Sequence, residues 1–177
     1  MAATYTLIGS QVLGSSASSV TFSSIPQTYT DLKLALSVRT DYSGYTDGWQ
    51  MVLNSNSTGI YSATTVYGNG SSATSQSFPN ESGVGNGGYI INPSSLDTAN
   101  TFSSCELYIP NYTSTASKQI NVFNASEGNY AASHVQVFGS ANLIRLSSAI
   151  TSMTFTSNNA ANFIANSTFY LYGLKNA

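Results

Sequence analysis

The run Leu32-Lys33-Leu34-Ala35-Leu36-Ser37-Val38-Arg39 alternates without a break. Leu32, Leu34, Leu36 and Val38 share one face, and Lys33, Ala35, Ser37 and Arg39 share the other. Period-2 alternation of this kind predicts a half-buried strand. The pattern repeats outward from there. Trp49, Met51 and Leu53 alternate with Gln50, Val52 and Asn54, and Ser103, Cys105, Leu107 and Ile109 alternate with Phe102, Ser104, Glu106 and Tyr108. Further strands are predicted at Tyr5 to Leu13, Ser19 to Phe22, Ile60 to Tyr67, Gln119 to Ala125, His134 to Phe138, Ile150 to Thr156 and Thr168 to Leu174. Short strands joined by Gly/Asn/Ser-rich turns predict an all-β, antiparallel β-sandwich or barrel. Helix formers are scarce, and one helical turn is predicted after Pro93, with Asn92 as its N-cap.

Composition narrows the function classes. Only 7% of the 177 residues are charged, five Lys+Arg against seven Asp+Glu, where an ordinary domain carries roughly 25%. Ser, Thr and Asn fill the gap with 67 residues. Five scattered cations cannot neutralise a run of phosphates, so no nucleic-acid partner is expected. No apolar stretch has the length of a membrane span, and no membrane partner is expected. The N-terminal Met1-Ala2-Ala3-Thr4-Tyr5-Thr6 has no positive n-region or apolar h-region, so no signal peptide is predicted. The lone cysteine, Cys105, excludes an intrachain disulfide and, sharing a face with Leu107 and Ile109, is expected to be buried. Residues 1–177 read as one domain, with long loops expected from Gly68 to Gly88. The outward strand positions are Ser, Thr and Asn rather than the charges that usually guard sheet edges, and Thr168 to Leu174, apolar or aromatic on both faces, is expected to be either central or covered by another chain. Both features favour an oligomer.

The chemistry-bearing motifs are weak. Gly83-Val84-Gly85-Asn86-Gly87-Gly88 matches G-x-G-x-x-G, but Tyr89-Ile90-Ile91-Asn92-Pro93 follows it where a dinucleotide site needs a helix. A flexible glycine loop is the expectation, with no cofactor. His134 is the one histidine and lies in a predicted strand; no G-x-S-x-G elbow accompanies it, and one His with one Cys does not make a zinc site. No catalytic or metal residue is assigned, and the chain reads as a non-enzyme. Asp41 and Asp47 flank a loop that also gathers Tyr42, Tyr45 and Trp49. Asp in such a loop ordinarily caps turn amides, and Trp49 belongs to the core alternation. Tyr42, Tyr45 and Asp47 are the candidate glycan contacts. Six N-x-S/T triplets occur, about as many as fifty Ser and Thr beside seventeen Asn would give by chance.

Four phrases carry a resemblance: Ser19-Val20-Thr21-Phe22-Ser23-Ser24-Ile25-Pro26 running into Tyr29-Thr30-Asp31-Leu32; Tyr67-Gly68-Asn69-Gly70-Ser71; Ala99-Asn100-Thr101-Phe102 leading to Glu106-Leu107-Tyr108-Ile109-Pro110-Asn111-Tyr112; and Thr168-Phe169-Tyr170-Leu171-Tyr172-Gly173-Leu174-Lys175. In these the chain resembles small β-rich virion structural proteins of tailed phages of aquatic bacteria, cyanophages among them, from about residue 4 to the C-terminus. The resemblance implies a jelly-roll-like fold, a homotrimer and a place on the virion. The expected role is a capsid decoration (cement) protein that binds the capsid surface, with other virion proteins as partners. The alternative is a tail-fibre or receptor-binding module recognising host surface glycan.

Overall fold

A computed structural model describes residues 4–87, 90–128 and 136–175. Twelve strands are described: β1 (Thr4–Val12), β2 (Ser19–Phe22), β3 (Asp31–Ser37), β4 (Thr46–Leu53), β5 (Tyr61–Gly68), β6 (Ala73–Glu81), β7 (Ile91–Pro93), β8 (Ser104–Ile109), β9 (Lys118–Ser126), β10 (Gln136–Ile144), β11 (Met153–Ser157) and β12 (Thr168–Lys175). All pairings are antiparallel. One sheet has eight strands in the order β1-β12-β3-β8-β9-β10-β5-β6, and the other has four in the order β2-β11-β4-β7.

Setting aside the hairpins β5–β6 and β9–β10 leaves β1-β12-β3-β8 facing β2-β11-β4-β7. That order is a jelly roll: β1, β2, β3 and β4 alternate between the sheets, and so do β7 and β8, then β11 and β12. The two hairpins lie side by side and double the width of the first sheet to about 35 Å, at roughly 4.8 Å per strand.

The core lies between the sheets. Leu32, Leu34 and Leu36 of β3, Cys105, Leu107 and Ile109 of β8, and Phe169 and Leu171 of β12 face Val20, Phe22, Trp49, Met51, Leu53, Met153 and Phe155. Phe155 meets Trp49 at 5.6 Å and Phe22 at 6.4 Å, both edge to face, and crosses the sandwich to Phe169 at 5.4 Å. Asn supplies the turns: of the eight non-glycine residues with positive φ, Asn54, Asn80, Asn100, Asn111 and Asn166 are five. The short amide side chain tolerates this left-handed conformation, which accounts for five of the seventeen Asn.

Three expectations need correction. The stretch from Gly68 to Gly88 is not all loop, because β6 occupies Ala73–Glu81 and pairs along β5. As an edge strand it is exposed on both faces apart from Phe78 and Glu81, so no alternation marks it. No helical turn follows Pro93: Asn92 and Pro93 belong to β7, and Ser94 to Asp97 close only a turn. The Arg39 guanidinium takes the carbonyls of Ser94, Asp97, Thr98 and Thr101, which a helix would need for its own amides. Arg39 is accordingly buried rather than outward-facing. Of the two placements expected for Thr168 to Leu174, the central one is found: β12 is flanked by β1 and β3 within its own chain, so its apolar character requires no partner subunit.

Two cations are thus internal fasteners. Lys118 is buried and donates to the carbonyls of Ser114 (2.6 Å), Ala116 (2.9 Å), Leu146 (3.0 Å) and Ser148 (2.6 Å), tying two loops together. Burial pushes its pKa down, while the four carbonyl dipoles oppose that shift by holding the ammonium form.

The Trp49 ring is buried and its indole N–H has no partner among the described residues. Trp49→Ala should therefore cost about 3–5 kcal/mol in denaturant unfolding, with Trp49→Phe recovering most of it. Near-neutral stability for the Ala variant would remove the ring from the core.

Candidate functional site

Alternation sends half of each strand of the wide sheet outward, onto a face that the four-stranded sheet does not cover. The ladder registers align these residues in rows. One row reads Leu7, Tyr172, Lys33, Tyr108, Asn121, Ala141, Thr64 and Ser77; the next reads Ser10, Tyr170, Ala35, Glu106, Phe123, Gly139, Val66 and Ser75. The exposed large hydrophobics among the described residues are Tyr5, Leu7, Val12, Val66, Leu96, Phe123 and Val137. All except Leu96 stand on this face. Isolated exposed apolar residues are ordinary, but a concentration on one face marks an interaction surface.

The centre of the face is polar and charge-balanced. Lys33 Nζ lies 2.9 Å from Glu106 Oε2, the only ion pair among the described residues, and 5.7 Å from the Tyr5 ring centroid. Tyr5 meets Tyr172 edge to face at 6.4 Å. Tyr5, Lys33 and Glu106, with Tyr108, Asn121 and Phe123, line a shallow groove of about 220 Å³. Tyr108 donates its hydroxyl to Asp31 Oδ2 at 2.6 Å, and Asp31 Oδ1 accepts the Asn111 amide at 2.8 Å. The Asp31 hydrogen bond, then burial, push the Tyr108 pKa up to about 12. On the other side of Phe123 a larger groove of about 670 Å³ runs over Gly139 between Phe123 and Val66, with Val137 at its side.

The loop singled out in the sequence is organised differently from expectation. Asp47 is 2% exposed. Its Oδ1 accepts Gly48 N at 2.7 Å and Asn159 Nδ2 at 2.7 Å, and its Oδ2 accepts the Ser157 hydroxyl at 2.6 Å. A carboxylate so enclosed braces the start of β4 against the 157–159 turn and does not face a glycan. Asp41 has the same kind of role at the surface, accepting Asn162 N and Nδ2 at 2.8 Å each, and these bonds hold its pKa below the ordinary value. Tyr42 and Tyr45 are half-buried. Their carbonyls accept Ser95 N and Ser94 N, so this loop is zipped along the 94–96 turn, with the Tyr42 ring packed over Gly44. The structure does not bring Tyr42, Tyr45 and Asp47 together as one open site.

The glycine run also has a packing role. Val84 exchanges both backbone hydrogen bonds with Met51, and a Cβ at Gly85, where φ is +91°, would collide with the Trp49 carbonyl. Gly83 to Gly85 therefore lie against β4, and Gly87 lies against the Phe78 ring of β6; Gly88 and His134 fall outside the described residues. Asn124 of the sequon at that position is buried, and Cys105 is buried with its thiol pKa pushed far up by desolvation. Phe123 and Asn121 escaped notice in the sequence. The available signal was an aromatic residue on the otherwise polar phase of the strand that buries Ile120, Val122 and Asn124. Compared with known proteins, the chain matches no family model and no curated protein sequence.

The Tyr108–Asp31 bond sets a pH response. A tyrosine whose folded pKa lies above its ordinary value of 10.0 contributes stability that is complete below pH 10 and is lost as pH rises through about 12. Thermal melts of the wild type and Tyr108→Phe should differ at pH 8, and the gap should close between pH 10 and about 12. A gap constant across that window would mean that Tyr108 does not donate to Asp31.

Proposed function

We propose that this chain is a phage virion structural protein, a capsid decoration subunit that assembles as a homotrimer and braces neighbouring capsid subunits. The observation that carries the reading is the pair of long edges on the wide sheet. β1 contains no charged residue, and β6 is uncharged from Ala73 to Asn80. Each edge is interrupted only locally, β1 by its own bulge between Leu7 and Gly9, β6 by Pro79 and the register shift opposite Tyr61 and Ala63. Both strands are nine residues long. In an all-antiparallel sheet of eight strands, the first and the last run in opposite directions. Joining β6 of one copy to β1 of the next therefore gives an antiparallel pair, and repetition around an axis closes a ring without a free edge. The number three comes from the resemblance in Ser19–Leu32 and Thr168–Lys175, not from the edges.

The scarcity of charge fits the same role. A subunit held by backbone pairing and apolar contact loses little when the Debye length falls to about 3 Å in 1 M salt. The purified chain should sediment at about three times 18.6 kDa, unchanged in 1 M salt. Thr74→Lys, a charge placed on the β6 edge, should dissociate it without altering the circular dichroism spectrum. A monomer at micromolar concentration would overturn the stand-alone trimer, and dissociation by salt alone would transfer the assembly to its few charges. Antibody labelling of purified particles tests the placement. Label over the shell at hundreds of copies is expected; label at the tail, or none on the particle, overturns the decoration role.

A further inference from the structure

We propose that the groove on the outer face of the wide sheet, between Tyr5 and Phe123, is a binding subsite for neutral hexose chains. This goes beyond the virion assignment and does not depend on it. Three observations point to this ligand class. The first is the aromatic wall: Phe123 is 57% exposed on a strand whose other face is buried, and the Tyr5 ring closes the opposite side. A hexose presents an apolar C–H face to such a ring and keeps its hydroxyls at its rim, where an aliphatic partner would gain nothing from polar neighbours.

The second observation is the polar floor. Lys33 and Glu106 sit 2.9 Å apart at the surface, with side-chain exposures of 28% and 58%. The ammonium has donors beyond the one given to Glu106, and the carboxylate has acceptor positions beyond the one given to Lys33. A vicinal diol can donate to Glu106 and accept from Lys33 at once. Asn121, whose side chain makes no hydrogen bond among the described residues, adds an amide that both donates and accepts. The pair carries no net charge, so the groove has no electrostatic reason to select a phosphate or a sulfate. That balance distinguishes a neutral sugar from an anionic one.

The third observation is size and continuity. The groove, about 220 Å³, falls below the roughly 300–1,000 Å³ of drug-sized pockets and suits a single ring. Phe123 separates it from the larger groove of about 670 Å³ over Gly139. Gly139 leaves the far side of Phe123 open, because no side chain stands in that row between Phe123 and Val66. A chain of hexoses can therefore continue across the sheet past Phe123, one unit on each side. Tyr42 and Tyr45 lie in a different loop and take no part.

The test uses affinity electrophoresis and calorimetry on the full chain with maltohexaose, cellohexaose, laminarihexaose and mannohexaose, and heparin as the polyanion. At least one neutral hexasaccharide should bind at millimolar concentration or below. Phe123→Ala and Lys33→Met should each weaken it about tenfold, the loss of one stacking or charge-assisted contact, while Tyr42→Ala leaves it unchanged. Gly139→Ala is tolerated by the fold, since an added Cβ would meet only Val66 Cγ2 at 3.9 Å. It should weaken the hexasaccharide more than the matching disaccharide. Circular dichroism and melting of each variant verify folding. Failure of all four neutral sugars, binding of heparin alone, or sugar binding indifferent to Phe123→Ala would overturn the proposal. So would a Phe123→Ala change in sedimentation without sugar binding, which would assign the face to a second copy of the chain.

Discussion

The contact of Phe155 with Phe169 joins the two sheets, and the rest of the sandwich is arranged around it. Phe155 belongs to β11 in the four-stranded sheet and Phe169 to β12 in the wide one. Trp49 and Phe22 pack on Phe155 from the two strands beside it, and Phe163 packs on Phe169 at 5.1 Å. A jelly roll needs such a hinge of packing because consecutive strands of its core cross from sheet to sheet. Neither sheet is complete until the chain has traversed both. β12, the twelfth described strand in chain order, is also the one that lies between β1 and β3 and pairs with both. Burial across the sandwich therefore fixes β12 on its inner face at the same time as it completes the outer face.

With so few ion pairs, the ends of the sandwich are secured by another means. Arg39 gathers the 94–101 turn by its carbonyls, Lys118 gathers the 114–116 and 146–148 segments, and Asp31 and Asp47 collect amides and hydroxyls. Arg39 and Lys118 meet backbone carbonyls, and Asp47 meets a backbone amide, a hydroxyl and a side-chain amide, rather than an opposite charge among the described residues. Such charge-assisted bonds are stronger than neutral ones, and where buried they are screened little by salt. Five of the twelve charged residues, Asp31, Arg39, Asp47, Asp97 and Lys118, are buried, so a large share of the little charge the chain retains is held where salt screens it least. Lys33 with Glu106 is the ion pair left on the open face.

Much of the fold was legible because alternation survives wherever one face is buried. Leu32-Lys33-Leu34-Ala35-Leu36 reads directly, and Ser19 to Phe22 was placed at its observed bounds. β6 was illegible for the complementary reason: an edge strand wet on both faces carries no hydrophobic period. Arg39 misled because it follows the outward phase of β3 while lying beyond the strand's end, where the chain turns inward. The candidate site was harder. Asp47 directly follows a stretch rich in Tyr and Gly, at the start of β4, and only the fold reveals that Ser157 and Asn159, far along the chain, surround it. Lys33, Glu106 and Phe123 were each visible on a polar phase, but their adjacency depends on β3, β8 and β9 being neighbours, a matter of strand order that no local pattern encodes.

That strand order also reconciles the two proposals. The hairpins β5–β6 and β9–β10 add no second layer; they lengthen one sheet sideways. Lengthening carries the β6 edge about 35 Å from the β1 edge, far enough that both can engage neighbours at once, and it brings Phe123, Gly139 and Val66 onto the outer face. Strand pairing at an edge acts in the plane of the sheet, whereas a ligand on the face approaches along its normal. A ring closed through β1 and β6 would thus leave the groove between Tyr5 and Phe123 open, and would repeat it around the axis. Repetition matters for a shallow site: weak binding of single sugar chains becomes useful when several identical grooves engage one polymer, since linked sites raise avidity by roughly 10²–10⁴ without any new contact.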